Sequence, residues 1–183
     1  MRKLAVFLDR DGTINEDPGY LYKPDELVMI GGAAKAIKEL NAASIKVIIV
    51  SNQSGVGRGY FTDADVEAVN EKLMRLLAVE GASIDAIYYC NHHPDTACQC
   101  RKPNTGMMEQ ASLEHGIDIT RSYVVGDKGS DVELAKQAGA KSVLVLTGKG
   151  GSELKTLKRP ADCVAKDLSE AVAWILKDLK AGR

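Results

Sequence analysis

Short apolar runs alternate along this chain with longer stretches in which apolar residues recur every three or four positions. The short runs predict β-strands over residues 4–8, 46–50, 86–89, 122–125 and 142–146, with a weaker one near 162–164. The amphipathic stretches between them predict helices over 33–43, 63–79, 106–115, 130–138 and 168–180. Thr62 stands where a hydroxyl would cap the helix that begins at Asp63, and Gly81, Gly116 and Gly139 stand where helices would stop. Strand and helix alternating in this way imply an α/β fold, a three-layer Rossmann-like sandwich around a mostly parallel central sheet. No repeat, low-complexity tract or linker interrupts the alternation, so residues 1–183 are expected to form one domain.

Composition narrows the function. A chain of 183 residues that is 45% hydrophobic can bury a sizeable core. A formal charge of −1 gives no general attraction to nucleic acid or to an anionic membrane. No apolar run approaches the roughly 20 residues that span a bilayer, and Met1-Arg2-Lys3 leads into the first strand without a cleavage pattern. A cytoplasmic monomer acting on a small molecule, with no nucleic-acid or membrane partner, is expected.

In open parallel sheets ligands collect beyond the carboxyl ends of the strands. Those ends carry Asp9-Arg10-Asp11, Ser51-Asn52-Gln53, a Cys/His-rich loop and Gly126-Asp127-Lys128. In extended backbone alternate side chains share a face, so Asp9 and Asp11 would repel unless a cation stood near them. Asp127 at the end of another strand adds a third carboxylate, and an all-oxygen set without histidine favours Mg²⁺. Asp131, one helical turn on, fits a holder of metal-bound water, a partner that positions Lys128, or simply a first-turn acid favoured by the helix dipole. Ser51 and Asn52 precede the glycine-rich stretch 55–59 and suit an anion cradle, although neither this stretch nor 147–151 has dinucleotide or P-loop spacing, so both are expected to shape loops. Arg101 and Lys102 pair a planar fork with a point charge, which suits a phosphate clamp.

Cys90, Cys98 and Cys100 crowd into one loop with His92 and His93, while Cys163 stands alone. Three thiolates and one imidazole complete a tetrahedral shell with no position left for water, so a structural Zn²⁺ is expected there. Cys163 is expected to be a small core residue, and His115 a solvated histidine at a helix end.

The segments FLDRDGTIN, SNQSG, RKP and VGDKGSD, in that order, resemble the four motifs of the haloacid dehalogenase superfamily of aspartyl-phosphate enzymes, over residues 4 to about 146. The resemblance implies that Asp9 is the nucleophile, that Asp11 is the acid/base, and that Ser51 and Lys102 hold the phosphoryl group. It also implies Mg²⁺ on Asp9, the backbone carbonyl of Asp11, and Asp127. Asn52, Gln53 and Arg101 join the expected substrate-binding set, and the zinc ligands become Cys90, His92, Cys98 and Cys100, with His93 left to face substrate or solvent. A zinc-pinned loop ending in CRKP, with no insertion long enough for a large cap domain, is similar to the group that holds the heptose bisphosphate and histidinol phosphate phosphatases. SNQSGVGRGYF, RKPNTGM and LVLTGKG look more like the heptose group, whereas the short cysteine loop is similar to the histidinol group. The heptose resemblance implies removal of the C7 phosphate of a sugar bisphosphate on the way to nucleotide-activated heptose, with Arg58, Arg101 and Lys149 available for the second phosphate. A non-catalytic binding module would have no need of both Asp9 and Asp11, and a nucleic-acid end-processing enzyme would need a basic excess that is absent.

Overall fold

The computed structural model describes residues 3–181. Six parallel strands form one sheet: β1 (Ala5–Leu8), β2 (Lys46–Asn52), β3 (Ala86–Cys90), β4 (Tyr123–Gly126), β5 (Lys141–Val145) and β6 (Cys163–Ala165), in the order β3-β2-β1-β4-β5-β6. Among the described residues six α-helices lie between the strands and a seventh follows β6: α1 (Ala33–Ala42), α2 (Ser54–Gly57), α3 (Asp63–Val79), α4 (Gly106–His115), α5 (Gly129–Ala138), α6 (Gly150–Glu153) and α7 (Leu168–Ala181). The two four-residue helices, α2 and α6, arise inside the glycine-rich stretches that the sequence reads as loops.

Strand periodicity divides the core in two. Val6 and Leu8, with Val47 and Ile49, face α1, α3 and α7 through Ile37, Leu40, Leu73, Leu77, Val172 and Ile175. Ala5 and Phe7, with Ile48 and Val50, face α4 and α5 through Met107, Met108, Leu134 and Ala135. Both faces of each central strand are therefore covered, which is why these strands read as unbroken apolar runs. Thr62 caps α3 as expected: its hydroxyl accepts from Asp65 N–H, and the Asp65 carboxylate accepts from Thr62 N–H.

Successive strands step to one side of β1 as far as β3, and the chain then returns to β4 on the other side. The reversal lies between β1 and β4, so the loops after these two strands splay apart and leave a crevice. Cys163, on the edge strand β6, is half-buried and packs against the rim of the core. His115 is also half-buried, its Nε2 3.1 Å from the Tyr88 hydroxyl, because α4 packs beside β3 and closes over the helix end.

Candidate active site

Asp9, Asp11, Ser51, Asn52, Gln53, Arg101 and Lys102 all line one cavity of about 370 Å³ at this crevice, together with Asp17, Lys128 and Lys149. Arg58 does not line it. One wall comes from Gly19, Tyr20 and Leu21, in a segment held by aromatic contacts: Tyr20 meets Tyr60 edge-on at 4.9 Å, and Tyr22 stacks on Phe61 at 5.7 Å.

Asp9 leaves β1 with its N–H still bonded to the Val125 carbonyl, which fixes the carboxylate at the floor of the cavity. Its Oδ1 accepts from Arg10 N–H at 2.8 Å and lies 3.0 Å from Lys102 Nζ, and its Oδ2 accepts from Lys128 Nζ at 3.2 Å. Burial alone would raise its pKa, but Lys102 and Lys128 outweigh burial and hold it down at about 2. It is a buried, ionised carboxylate with two ammonium groups beside it.

The three carboxylates that converge are Asp9, Asp127 and Asp131. The Asp11 side chain is not among them, which corrects the alternation argument. β1 ends at Leu8, and the following chain wraps round the Arg10 carbonyl, which accepts from the N–H groups of Thr13, Ile14 and Asn15. Period-two geometry has therefore ended before Asp11. Its carboxylate turns to Arg10, Asn15 and Gln53, and what it presents to the acid cluster is its backbone carbonyl.

Lys128 Nζ stands 3.2 Å from Asp9 Oδ2, 3.1 Å from the Asp11 carbonyl and 3.2 Å from Asp127 Oδ1, with Asp17 at 3.6 Å. A cation is thus seated among the three oxygens that the motif resemblance assigns to a metal. Asp127 Oδ1 is buried with no aligned donor, although Lys128 is near it. Burial is the main reason that the Asp127 pKa is raised, with Asp9 adding to it against the pull of Lys128. Asp127 Oδ2 accepts from Lys149 N–H at 2.8 Å. A Cβ at Gly12 or Gly148 would stand 2.2 or 2.3 Å from this oxygen, so only glycine lets the two loops close round the carboxylate. A charged, incompletely satisfied oxygen set of this kind fits a small hard cation such as Mg²⁺.

Lys102 is buried, and its Nζ donates to the Val50 carbonyl at 2.8 Å and to Asp131 at 2.6 Å. Burial works against its charge, but Asp131 and Asp9 prevail and its pKa is raised. Asp131 fills two roles: its other oxygen accepts from Lys128 N–H in the first turn of α5. Burial, aided by the nearby Asp9 charge, pushes the Asp131 carboxyl up to about 6 despite Lys102. Asn52 uses both ends of its amide on the Lys102 backbone, at 3.2 and 3.0 Å, so this side chain holds the RKP segment against β2. Gln53 Nε2 bridges the Ser51 hydroxyl and Asp11 Oδ2, each at 2.8 Å. Arg101 Nη1 is buried without a partner beside the cavity.

Cys90, Cys98, Cys100 and His92 form a second cluster, every ligand atom within 4.8 Å of the others. The Cys90 sulfur lies 3.7 Å from that of Cys98 and 3.5 Å from His92 Nδ1. These separations approach the edges of a tetrahedron with metal–sulfur bonds of about 2.3 Å. Burial, with crowding by the other sulfurs, pushes the Cys100 thiol up to about 12, so a thiolate at Cys100 needs a cation beside it. His93 faces elsewhere, its Nδ1 accepting from Asp95 N–H at 3.3 Å.

Asp17, Lys128, Arg10 and Asn70 are the site residues that sequence reasoning left without a role of their own. Asn70 did carry a signal, as a polar residue within the apolar stripe Val66, Val69, Leu73, Leu77 of α3.

Residues 99–171 match a family model described as HAD-hydrolase-like. The chain is 40% identical to D-glycero-D-manno-heptose-1,7-bisphosphate 7-phosphatase of Thermosynechococcus vestitus, over 98% of both chains. It is 41% identical to D-glycero-beta-D-manno-heptose-1,7-bisphosphate 7-phosphatase of Haemophilus ducreyi, over 96% of this chain and all of that one. The fold superposes with a TM-score of 0.90 on the crystal structure of D,D-heptose 1,7-bisphosphate phosphatase from B. bronchiseptica complexed with magnesium and phosphate. That protein is 37% identical, with 96% of this chain and 99% of the other covered.

Proposed function

Because the chain belongs to the haloacid dehalogenase-like hydrolases, and within them to the D-glycero-D-manno-heptose-1,7-bisphosphate 7-phosphatase family, we propose that it removes the C7 phosphate of that sugar bisphosphate. The observation that carries the reading is Asp9 itself, a buried carboxylate held ionised between Lys102 and Lys128 at the sheet crevice. An Asp9 oxygen attacks phosphorus as the bond to the C7 oxygen breaks, and protonated Asp11 gives its proton to that leaving oxygen. Asp11, now a carboxylate, takes a proton from the water that attacks the aspartyl phosphate; the Asp9–phosphorus bond breaks and inorganic phosphate leaves.

Ser51 and Lys102 hold the phosphoryl oxygens, with Gln53 aligning the serine hydroxyl, and Arg101 faces the rest of the substrate. Asp9, the Asp11 carbonyl and Asp127 would hold Mg²⁺ in the place where Lys128 Nζ now stands. Bound there, the ion would neutralise charge on the phosphoryl oxygens. Cys90, His92, Cys98 and Cys100 would hold a structural Zn²⁺ that fixes the segment running into Arg101 and Lys102. Unpaired thiols around a metal suit a reducing cytoplasm, and the whole chain acts as one domain and as a monomer. No helix among the described residues is long and apolar enough to cross a membrane.

The test is kcat/KM on heptose 1,7-bisphosphate and on histidinol phosphate, with ³¹P NMR to see which phosphate is released. The bisphosphate should exceed histidinol phosphate by orders of magnitude and lose its C7 phosphate. The reverse preference would overturn the assignment.

A further inference from the structure

Arg10 lies between the two aspartates of the first motif, and it is completely buried. A guanidinium keeps its charge at any pH the protein meets, and burying one without partners is prohibitive. Its partners are specific. Nε donates to Asp11 Oδ1 at 3.1 Å and Nη2 to Asp11 Oδ2 at 3.0 Å, a two-point fork on a carboxylate only one residue away. Nη1 donates to Asn70 Oδ1 at 2.8 Å, and Asn70 is itself buried, on α3. Asp11 is thereby joined through Arg10 to a 17-residue helix packed on the sheet. The other hydrogen bonds to the Asp11 carboxylate are single ones, from Asn15 within the loop and from Gln53 at the end of β2, so the Arg10 fork is its one two-point hold.

We propose that Arg10 and Asn70 form a buried brace that aims the Asp11 carboxyl group at the leaving oxygen, making both of them positioning residues for proton transfer. The inference rests on the reading of Asp11 as the acid/base. The fork fixes the plane of the carboxylate, as one Lys ammonium could not, and Asn70 fixes the fork. Asn15 and Gln53 each donate one further hydrogen bond to Asp11, so the brace sets its orientation while these two close its sides. The Arg10 and Asn70 side chains form no hydrogen bond to Asp9, Lys102 or Lys128; Arg10 reaches Asp9 only through its backbone N–H, which side-chain substitution leaves in place, so loss of the brace should weaken proton transfer and spare nucleophilic attack.

That separation gives a readout which a general loss of structure would not produce. The value of kcat/KM reports events only up to departure of the leaving group. An alkoxide leaving group such as the C7 oxygen needs a proton, whereas 2,4-dinitrophenolate leaves without one. Asn70→Leu keeps the size of the side chain and removes the acceptor; Arg10→Lys keeps the charge and removes the fork. In the Mg²⁺- and Zn²⁺-loaded enzyme, kcat/KM for heptose 1,7-bisphosphate should fall about 10-fold in Asn70→Leu and about 100-fold in Arg10→Lys, within the range general acid catalysis supplies. For 2,4-dinitrophenyl phosphate the same ratio should fall less than about 3-fold, and the aspartyl phosphate, now hydrolysed slowly, should appear as a burst of dinitrophenolate close to one per enzyme.

Equal losses on the two esters in Asn70→Leu, or no loss on either, overturn the brace. Asp11→Asn serves as the reference. If it too loses equally on both esters, the reading of Asp11 as acid fails; if it shows the split and Asn70→Leu does not, the brace alone fails. Should Arg10→Lys not fold, Asn70→Leu carries the test, since it leaves the buried ion pair in place.

Discussion

Replacing Lys102 by methionine tests the buried charge balance on which Asp9 depends. The ammonium is inaccessible and lies 2.6 Å from Asp131, 3.0 Å from Asp9 and 2.8 Å from the Val50 carbonyl. Methionine fills the same volume and leaves two buried carboxylates facing each other with one neutralising group fewer. Breaking a buried pair by removing one partner costs about 3–5 kcal/mol. With a urea m-value of about 2 kcal/mol/M, the midpoint should drop by about 1.5–2.5 M. The variant should stay folded, because domains of this size have about 5–15 kcal/mol of stability.

The loss should depend on pH in a direction fixed by the two carboxyl groups. Asp131 has its pKa raised from 3.8 to about 6, so its charge subtracts stability above about pH 6 and none below 3.8. Asp9 has its pKa lowered from 3.8 to about 2, so its charge adds stability above 3.8 that is lost as pH falls through about 2. Without Lys102 both groups bind protons more tightly. The penalty should therefore be largest near pH 8 and shrink towards about pH 5 as Asp131 takes up a proton. In an Asp131→Asn background, where one of the two charges is gone, Lys102→Met should cost less than in the wild type. Urea unfolding followed by circular dichroism at the two pH values, on all four proteins, supplies the numbers. A penalty below about 1 kcal/mol, or one that is the same at both pH values and in both backgrounds, would refute the reasoning.

Three further outcomes follow from the same geometry. Gly148→Ala places a methyl group against Asp127 Oδ2 and the Gly12 Cα at a position with φ of +54°, so Mg²⁺ affinity in an activity titration should weaken by about 10- to 100-fold with the fold retained; unchanged affinity would contradict the cradle. Elemental analysis should find one Zn²⁺ per chain in the wild type and none in Cys100→Ser, which should also have a lower Tm and a reduced kcat/KM through a loosened Arg101-Lys102 segment; full activity in the zinc-free variant would contradict that link. Asn52→Ala removes both hydrogen bonds to the Lys102 backbone, and kcat/KM should fall about 10-fold, the equivalent of one lost hydrogen bond of about 1.4 kcal/mol, with zinc content unchanged.

The architecture was legible because the strands are buried on both faces and the helices on one, so burial writes different periods into the chain. Val47 to Val50 read as a strand whichever face is considered, and the Thr62 cap marked the start of α3. α2 and α6 were hidden because their glycines oppose helix formation; Gly57 and Gly150 are placed there by close approach of the His93 and Val145 backbones. At the site, motif spacing located Asp9, Lys102 and Asp127, since each follows a strand end or a fixed turn. The direction of the Asp11 side chain was not readable, because it depends on where regular β backbone stops. Nor was the double role of Asp131, which needs Lys102 brought from a segment 29 residues away. Arg10 was passed over because an exposed arginine beside two acids would look the same in sequence as this buried one.

The central claim is that Asp9 carries the phosphoryl group between the two halves of the reaction. A single turnover on the bisphosphate, quenched in acid within the burst, reduced with borohydride and mapped by peptide mass spectrometry, would find it. Conversion of Asp9 to homoserine in proportion to the heptose monophosphate released is the expected result. Full release of inorganic phosphate with Asp9 unmodified, or homoserine at Asp127 instead, would contradict the account.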